Sequence, residues 1–465
     1  MAALSSTDLD RVLAAVDADL DASLARLFAF LRIPSISTDR AYAAECRRAG
    51  QWLADDLATL GLTAKLNDTP GHPIVTGTSS GGAARRVMFY GHYDVQPVDP
   101  LDLWDSPPFE PRIVENAEGV KRIVARGSSD DKGQVMTFVE ACRAYIRTTG
   151  SLPVDVAIVV EGEEESGSAH IGPFLEAHKD ALQADLALVC DTGMWDAQTP
   201  AIILSLRGLM HDEFIVRAAD RDLHSGYYGG AAANPLHVIS KIIGGVHGAD
   251  GRITIPGFYD GVVEPSEHMR ESWSKLDLTT ANFLGPIGLS HPIGEKDRLL
   301  IEMVSTRPTF EVNGMWGGYT GEGAKTVIPS IATAKITCRL VADQDPAHVR
   351  DCVRAYIRSQ LPPDCTVEFL SGEGNRAVAV AHDNPLLAKA AAALGDEWGA
   401  PAVTYGEGGS IPVVGQFKKV LGQDTLLVGF ALDDDRIHSP NEKYDLTSFH
   451  KGIRSWVRIL AALAE

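Results

Sequence analysis

Three short apolar runs, each followed closely by a histidine or a carboxylate, constrain this chain more than any other feature. Val87-Met88-Phe89-Tyr90 runs into Gly91-His92. Val154–Val160 runs into Glu161, with Glu164 and Glu165 just beyond. Leu186–Val189 runs into Cys190-Asp191. Between the first two, Asp130 to Ile146 has helical spacing, with Val135, Phe138, Val139 and Cys142 on one face. Strands separated by helices predict a mainly parallel sheet in an α/β domain. In open sheets of that kind, ligands bind outside the carboxyl ends of the strands. One metal-competent side chain at such an end is a cheap coincidence; three are not.

The rest of the chain fits around this core. Leu9, Val12, Leu13, Val16, Leu20, Leu24, Leu27, Phe28 and Leu31 recur at helical steps, predicting one amphipathic helix that Pro34 stops. A second helix fits Cys46 to Leu60, closed by Gly61. Near residue 207 the texture changes. Strand-like runs at Glu213–Arg217 and Ala334–Leu340 accompany helices that start near Asn234-Pro235 and Asp345-Pro346, with proline suited to a first helical position. A Gly/Pro-punctuated stretch, about 250 to 325, reads as a loop-rich crossover. From about Asn384 the α/β pattern returns, with a strand at Leu426–Phe430 and a last helix at Leu446–Leu463. The expected organisation is a discontinuous α/β domain, 1–206 and 382–465, with a small α+β domain, 207–381, inserted into it.

Charge and cysteine usage narrow the function classes. Lys plus Arg number 42 against 62 Asp plus Glu, a net charge of −20, which argues against nucleic acid as a partner because phosphate binding needs a basic surface. No apolar run approaches the ~18 residues of a membrane span, and the N-terminus lacks the basic and apolar regions of a signal peptide. The six cysteines are scattered and form no CxxC pair. A reduced, cytoplasmic protein with no membrane partner is expected.

His92, Asp130, Glu164, Glu165, Asp191 and His438 are therefore candidates for one rim, with Asp131 beside Asp130. Histidine plus several carboxylates, without thiolate, suits a divalent hydrolytic metal such as zinc or manganese. A lone metal needs about three protein ligands, so a larger set suggests two metals that share a carboxylate. A carboxylate beside a ligand, free to accept a proton, would serve as general base.

Seven motifs extend this reading. They are Gly91-His92-Tyr93-Asp94-Val95-Gln96-Pro97, Arg126-Gly127-Ser128-Ser129-Asp130-Asp131-Lys132-Gly133, Glu163-Glu164-Glu165-Ser166-Gly167-Ser168, Asp222-Leu223-His224-Ser225-Gly226, Gly323-Ala324-Lys325-Thr326-Val327-Ile328-Pro329, Gly408-Gly409-Ser410-Ile411-Pro412 and His438-Ser439-Pro440-Asn441-Glu442. In this order they resemble the M20 family of dinuclear metallopeptidases, above all its dipeptidase branch with the carnosinase-like and Cys-Gly dipeptidases.

The resemblance implies a phosphorylase/hydrolase-like catalytic domain with an inserted lid and dimerisation domain. It implies two divalent ions per chain, zinc first, with manganese or cobalt as alternatives. His92, Asp130 and Asp191 would hold one, and Asp130, Glu165 and His438 the other, with Asp130 bridging and its bond to Asp131 cis. Asp94 would orient the His92 imidazole, and Glu164 would be the general base. His224 would reach the partner subunit's site in a homodimer. Arg339, with Thr326 and Ser410, would hold the carboxylate of a small peptide substrate. Gly406 departs from the pattern, since relatives often carry arginine there. The expected function is hydrolysis of the amide bond of dipeptides with a free carboxylate. Its rivals are an N-acyl amino-acid amidohydrolase, which needs only a different pocket, and a catalytically inactive peptide-binding member of the family.

Overall fold

The computed structural model describes residues 6–79, 81–370, 372, 374–380, 384–408 and 411–465. They form two compact units. One comprises the chain up to Leu204 with Val380–Thr404 and Pro412–Glu465; the other comprises Ser205–Ala379 and Tyr405–Ile411.

The centre of the first unit is a parallel ladder in the order Asp155–Glu161, Arg86–His92, Leu186–Val189 and Thr425–Leu427. Every residue of Arg86–His92 after Arg86, and every residue of Leu186–Val189, is buried, as strands covered on both faces require. Antiparallel strands flank the ladder. Ile74–Thr78 pairs with Asp155–Glu161 and carries Thr63–Asn67 beyond it, and Ala201–Leu206 pairs with Thr425–Leu427. The fold is α/β with a mainly parallel core, as the apolar runs predict; the two-stranded antiparallel flank carries no comparable run.

Helices Lys132–Thr149, Pro385–Trp398 and Leu446–Ala464 share the sheet's core. Phe89 of the sheet stacks on Phe138 at 4.0 Å, and Trp456 stands edge-on to both, at 6.0 and 5.4 Å. Register then sets the strand ends: His92 pairs with Glu161, so the residues after both strands emerge on one rim. The strand expected at Leu426–Phe430 ends at Leu427. The Phe430 N–H donates instead to Gln134 Oε1 at 2.8 Å, which removes it from the ladder.

The single helix expected before Pro34 is two, Ser6–Ala18 and Leu20–Leu31. The Asp19 carboxylate at the break accepts from Arg26 at 2.8 Å and Arg147 at 2.9 Å. The apolar period runs on through the junction, so it carries no sign of the break.

The second unit has its own antiparallel sheet, in the order Glu311–Gly317, Ile331–Leu340, Gly208–Arg217 and Thr366–Phe369. Helices Pro235–Gly244 and Pro346–Ser359 bury Val238, Ile239, Val349 and Val353 in a core shared with Phe214 and Ile336 of that sheet. Asn234 and Asp345 cap them, each with proline at the first turn. The stretch expected to be loop-rich contains helices Glu267–Trp273 and Leu300–Ser305 and the edge strand Glu311–Gly317. That strand is mostly exposed and lacks the apolar alternation by which a strand is recognised. Among the described residues no helix is long and apolar enough to cross a membrane.

Candidate metal centre

At the rim of the parallel ladder, two donor sets meet on one carboxylate. His92, the last residue of its strand, places Nε2 3.0 Å from Asp130 Oδ1 and 4.0 Å from Asp191 Oδ1. His438 places Nε2 3.0 Å from Asp130 Oδ2 and 3.2 Å from Glu165 Oε2. Within each trio the donor atoms lie within 4.8 Å of one another. Asp130 precedes the helix Lys132–Thr149, Asp191 follows the strand Leu186–Val189, and Glu165 lies in the turn Glu164–Ser166. The Asp130–Asp131 peptide bond is cis. The donors are imidazole and carboxylate throughout, the set that divalent zinc or manganese takes. Glu165 Oε1 is buried and has no hydrogen-bond partner among the described residues, an acceptor left for a cation. The residues present fit two metal ions.

Surrounding groups hold these side chains in place. His92 Nδ1 lies 3.0 Å from the Asp94 carbonyl oxygen and 3.4 Å from Asp94 Oδ1. The Asp94 carboxylate itself accepts the Glu164 N–H at 3.2 Å and the Glu165 N–H at 3.1 Å. One residue therefore steadies the imidazole, mainly through its main chain, and the acidic turn through its side chain. Sequence reasoning assigns Asp94 only the first task. Asp131, whose place before a helix predicts a cap, makes no side-chain cap bond; its Oδ2 accepts the His92 N–H at 3.0 Å, and Gln96, with no predicted role, donates from Nε2 to Glu165 Oε2 at 2.7 Å. Both sit inside quoted motifs, which is the signal that singles them out.

Charge is distributed unevenly over the carboxylates. Burial would raise Asp130, but the hydrogen bonds of His438 and His92 outweigh it and hold the carboxyl well below the usual range. Glu164 goes the other way. Burial, with the charges of Glu165, Asp94 and Asp130, pushes it up to about 7 against the opposing charge of His92.

The pattern of peptidase family M20/M25/M40 matches residues 88–462. The chain belongs to this family. It is 30% identical to the Cys-Gly metallodipeptidase DUG1 of Candida albicans over 451 residues, 92% of each chain. It is similar to the solved structure of the di-peptidase Dug1p of Saccharomyces cerevisiae, with a TM-score of 0.78, 25% identity and 99% of each chain covered. It is similar also to the M20 family metallo-carboxypeptidase Sso-CP2 of Sulfolobus solfataricus, with a TM-score of 0.80, 30% identity, and 95% of this chain and 99% of that one covered. As a member of the M20 metallopeptidases, the chain is a hydrolase.

Of the remaining predicted residues of this M20 chain, His224, Thr326 and Arg339 lie in its second unit. His224 and Thr326 adjoin one two-stranded antiparallel ladder: His224 pairs with Val327, and the Ser225 N–H donates to the Thr326 carbonyl at 3.0 Å. His224 is exposed, and its Nδ1 accepts the Gly226 N–H at 3.0 Å. Arg339 is half-buried on the strand Ile331–Leu340. Ser410 lies outside the described residues. At Gly406, a Cβ would lie 2.3 Å from Ser205 Oγ and 3.2 Å from Ser305 Cβ. A larger side chain fits there only if Ser205 moves.

Proposed function

We propose that this M20 enzyme is a dipeptidase that holds two divalent cations across Asp130, one with His92 and Asp191 and the other with Glu165 and His438. One observation carries the reading: opposite oxygens of a single carboxylate face two separate donor sets. Cations bound there would polarise a scissile carbonyl and acidify a water between them. Zinc is the first candidate, with manganese or cobalt as alternatives.

The chain's own residues do the rest. The Glu164 carboxylate takes the proton of the attacking water and passes it to the departing amine. A carboxylate that neighbours a metal-ligand candidate yet belongs to neither donor set is free for both transfers. Arg339 grips the substrate's terminal carboxylate as a two-pronged donor, and Thr326 and Ser410 are the further substrate-binding residues. His224 of the partner subunit steadies the carbonyl oxygen, in a homodimer formed through the second unit. The cysteines are all free, which fits a reducing compartment, the cytoplasm.

Dipeptides with a free carboxylate are the proposed substrates, supported by the likeness to two dipeptidases. The likeness to a carboxypeptidase favours a second reading, release of the last residue from longer peptides. A panel of dipeptides, their N-terminally extended forms and N-acetyl amino acids, offered to metal-reconstituted protein, decides. Turnover of dipeptides is expected. Turnover confined to longer peptides would favour the second reading, and turnover of acyl amino acids alone would replace peptidase by amidohydrolase.

A further inference from the structure

Two motifs are only partly used by the site above: the run from Arg126 to Gly133 beyond Asp130, and the run from His438 to Glu442 beyond His438. Their unused members meet. Glu442 is fully buried and Arg126 is 1% exposed. Glu442 Oε2 accepts Arg126 Nη1 at 2.8 Å and the Gly127 N–H at 2.9 Å. Its Oε1 accepts the Ser129 N–H at 2.9 Å and the Asp130 N–H at 3.1 Å. A second tie runs in parallel, from Ser129 Oγ to Asp435 Oδ2 at 2.6 Å.

A buried carboxylate needs a counter-charge, and Arg126 supplies one. That requirement does not explain the three main-chain N–H groups. They come from the segment that leads into Asp130 and converge on one anion, as in an anion nest. The carboxylate that gathers them belongs to the loop that carries His438. One side chain thus joins the backbones of two residues that would hold the same cation.

We infer that Glu442 is a positioning residue for the metal centre: it fixes the Asp130 backbone against the His438 loop. The inference rests on the reading of Asp130 as the shared ligand. Each Glu442 oxygen accepts from two donors, so a glutamine cannot substitute for it. Whichever way its amide turns, the NH2 group faces two N–H groups and both of those bonds are lost.

The test uses the full chain, stripped of metal and titrated with Zn²⁺ against a chromophoric chelator, with the fold followed by circular dichroism. The variants are Glu442→Gln and the double variant Arg126→Met with Glu442→Gln, which removes the stranded guanidinium charge. Zinc binding at least about tenfold weaker than wild type is expected in both, as for other groups that orient metal ligands. If the pair mattered only as a pair, the double variant would recover wild-type affinity, and that would overturn the inference. A folded Glu442→Gln protein with unchanged affinity would do the same. Failure of both variants to fold would make Glu442 a folding residue and overturn it too. Wild-type protein that binds no zinc would instead sink the reading of Asp130 on which this rests.

Discussion

His438 Nε2 lies 3.0 Å from Asp130 Oδ2, while His92 Nε2 lies 3.0 Å from Asp130 Oδ1. The carboxylate is approached from both sides by imidazoles that reach it from opposite ends of the chain. Without a cation, two imidazoles and the carboxylates around them can satisfy one another only by sharing protons. With cations, the same contacts would become ligand sets.

Asp130→Asn tests that sharing. An amide offers one oxygen and one NH2, so it can serve only one of the two donor sets. Metal content should fall from about two ions per chain to one or fewer, with turnover reduced to background. Elemental analysis of the purified variant checks this. Two retained ions with normal turnover would remove Asp130 as the shared ligand.

Glu164→Gln should separate proton transfer from metal binding. Glu164 neighbours Glu165 and shares the Asp94 carboxylate with it through main-chain N–H groups, yet neither candidate donor set includes it. Its loss should lower kcat by about 10²-fold or more, with metal content near normal. A variant that turns over normally would move the role to another acid, of which Glu163 is the first to examine.

Arg339→Met should discriminate between substrates. Leaving a buried carboxylate unpaired costs about 2–5 kcal/mol, and that loss in kcat/KM is expected for dipeptides with a free C-terminus. Amidated substrates should lose far less. Equal losses on both would make Arg339 structural.

Trp456→Ala probes the core beneath the rim. The ring is fully buried, edge-on to Phe89, Phe138 and Phe430, and its Nε1 donates to Thr137 Oγ1 at 3.1 Å. Truncation should cost about 3–5 kcal/mol of stability, read by denaturant unfolding of the metal-free protein. A change below ~1 kcal/mol would mean that the helix Leu446–Ala464 repacks to fill the space.

The parallel core was legible because its strands are buried on both faces and so appear as unbroken apolar runs. The candidate donors were legible because strand ends are where such sheets bind ligands, and because His92, Asp130, Glu165, Asp191 and His438 sit in recognisable motifs. What composition does not record is main-chain traffic. The Asp94 carboxylate serves two N–H groups and the Glu442 carboxylate serves three, and no spacing rule marks an acceptor of backbone hydrogen bonds. The edge strand Glu311–Gly317 was illegible for the opposite reason: with little of it buried, it has no periodic face to display.

Assembly supplies the last prediction. His224 belongs to the unit of Ser205–Ala379, whereas the five candidate ligands all belong to the other unit. If His224 serves the site of its own chain, a monomer suffices. If it serves a partner's, two inactive variants should complement each other, since a symmetric dimer is the commonest soluble assembly. Glu164→Gln and His224→Ala, each inactive alone, should regain activity when mixed and allowed to exchange subunits. In the mixed dimer one site draws Glu164 from the His224→Ala chain and His224 from the Glu164→Gln chain, so that site is whole. The other site lacks both. Random exchange of equal amounts makes about half of the dimers mixed, each with one of two sites intact, so recovery should level off near one quarter of wild-type activity. Recovery at that level would place His224 in the neighbouring site. No recovery, with exchange demonstrated by mass-tagged chains, would mean that His224 acts within its own chain or takes no part in the reaction.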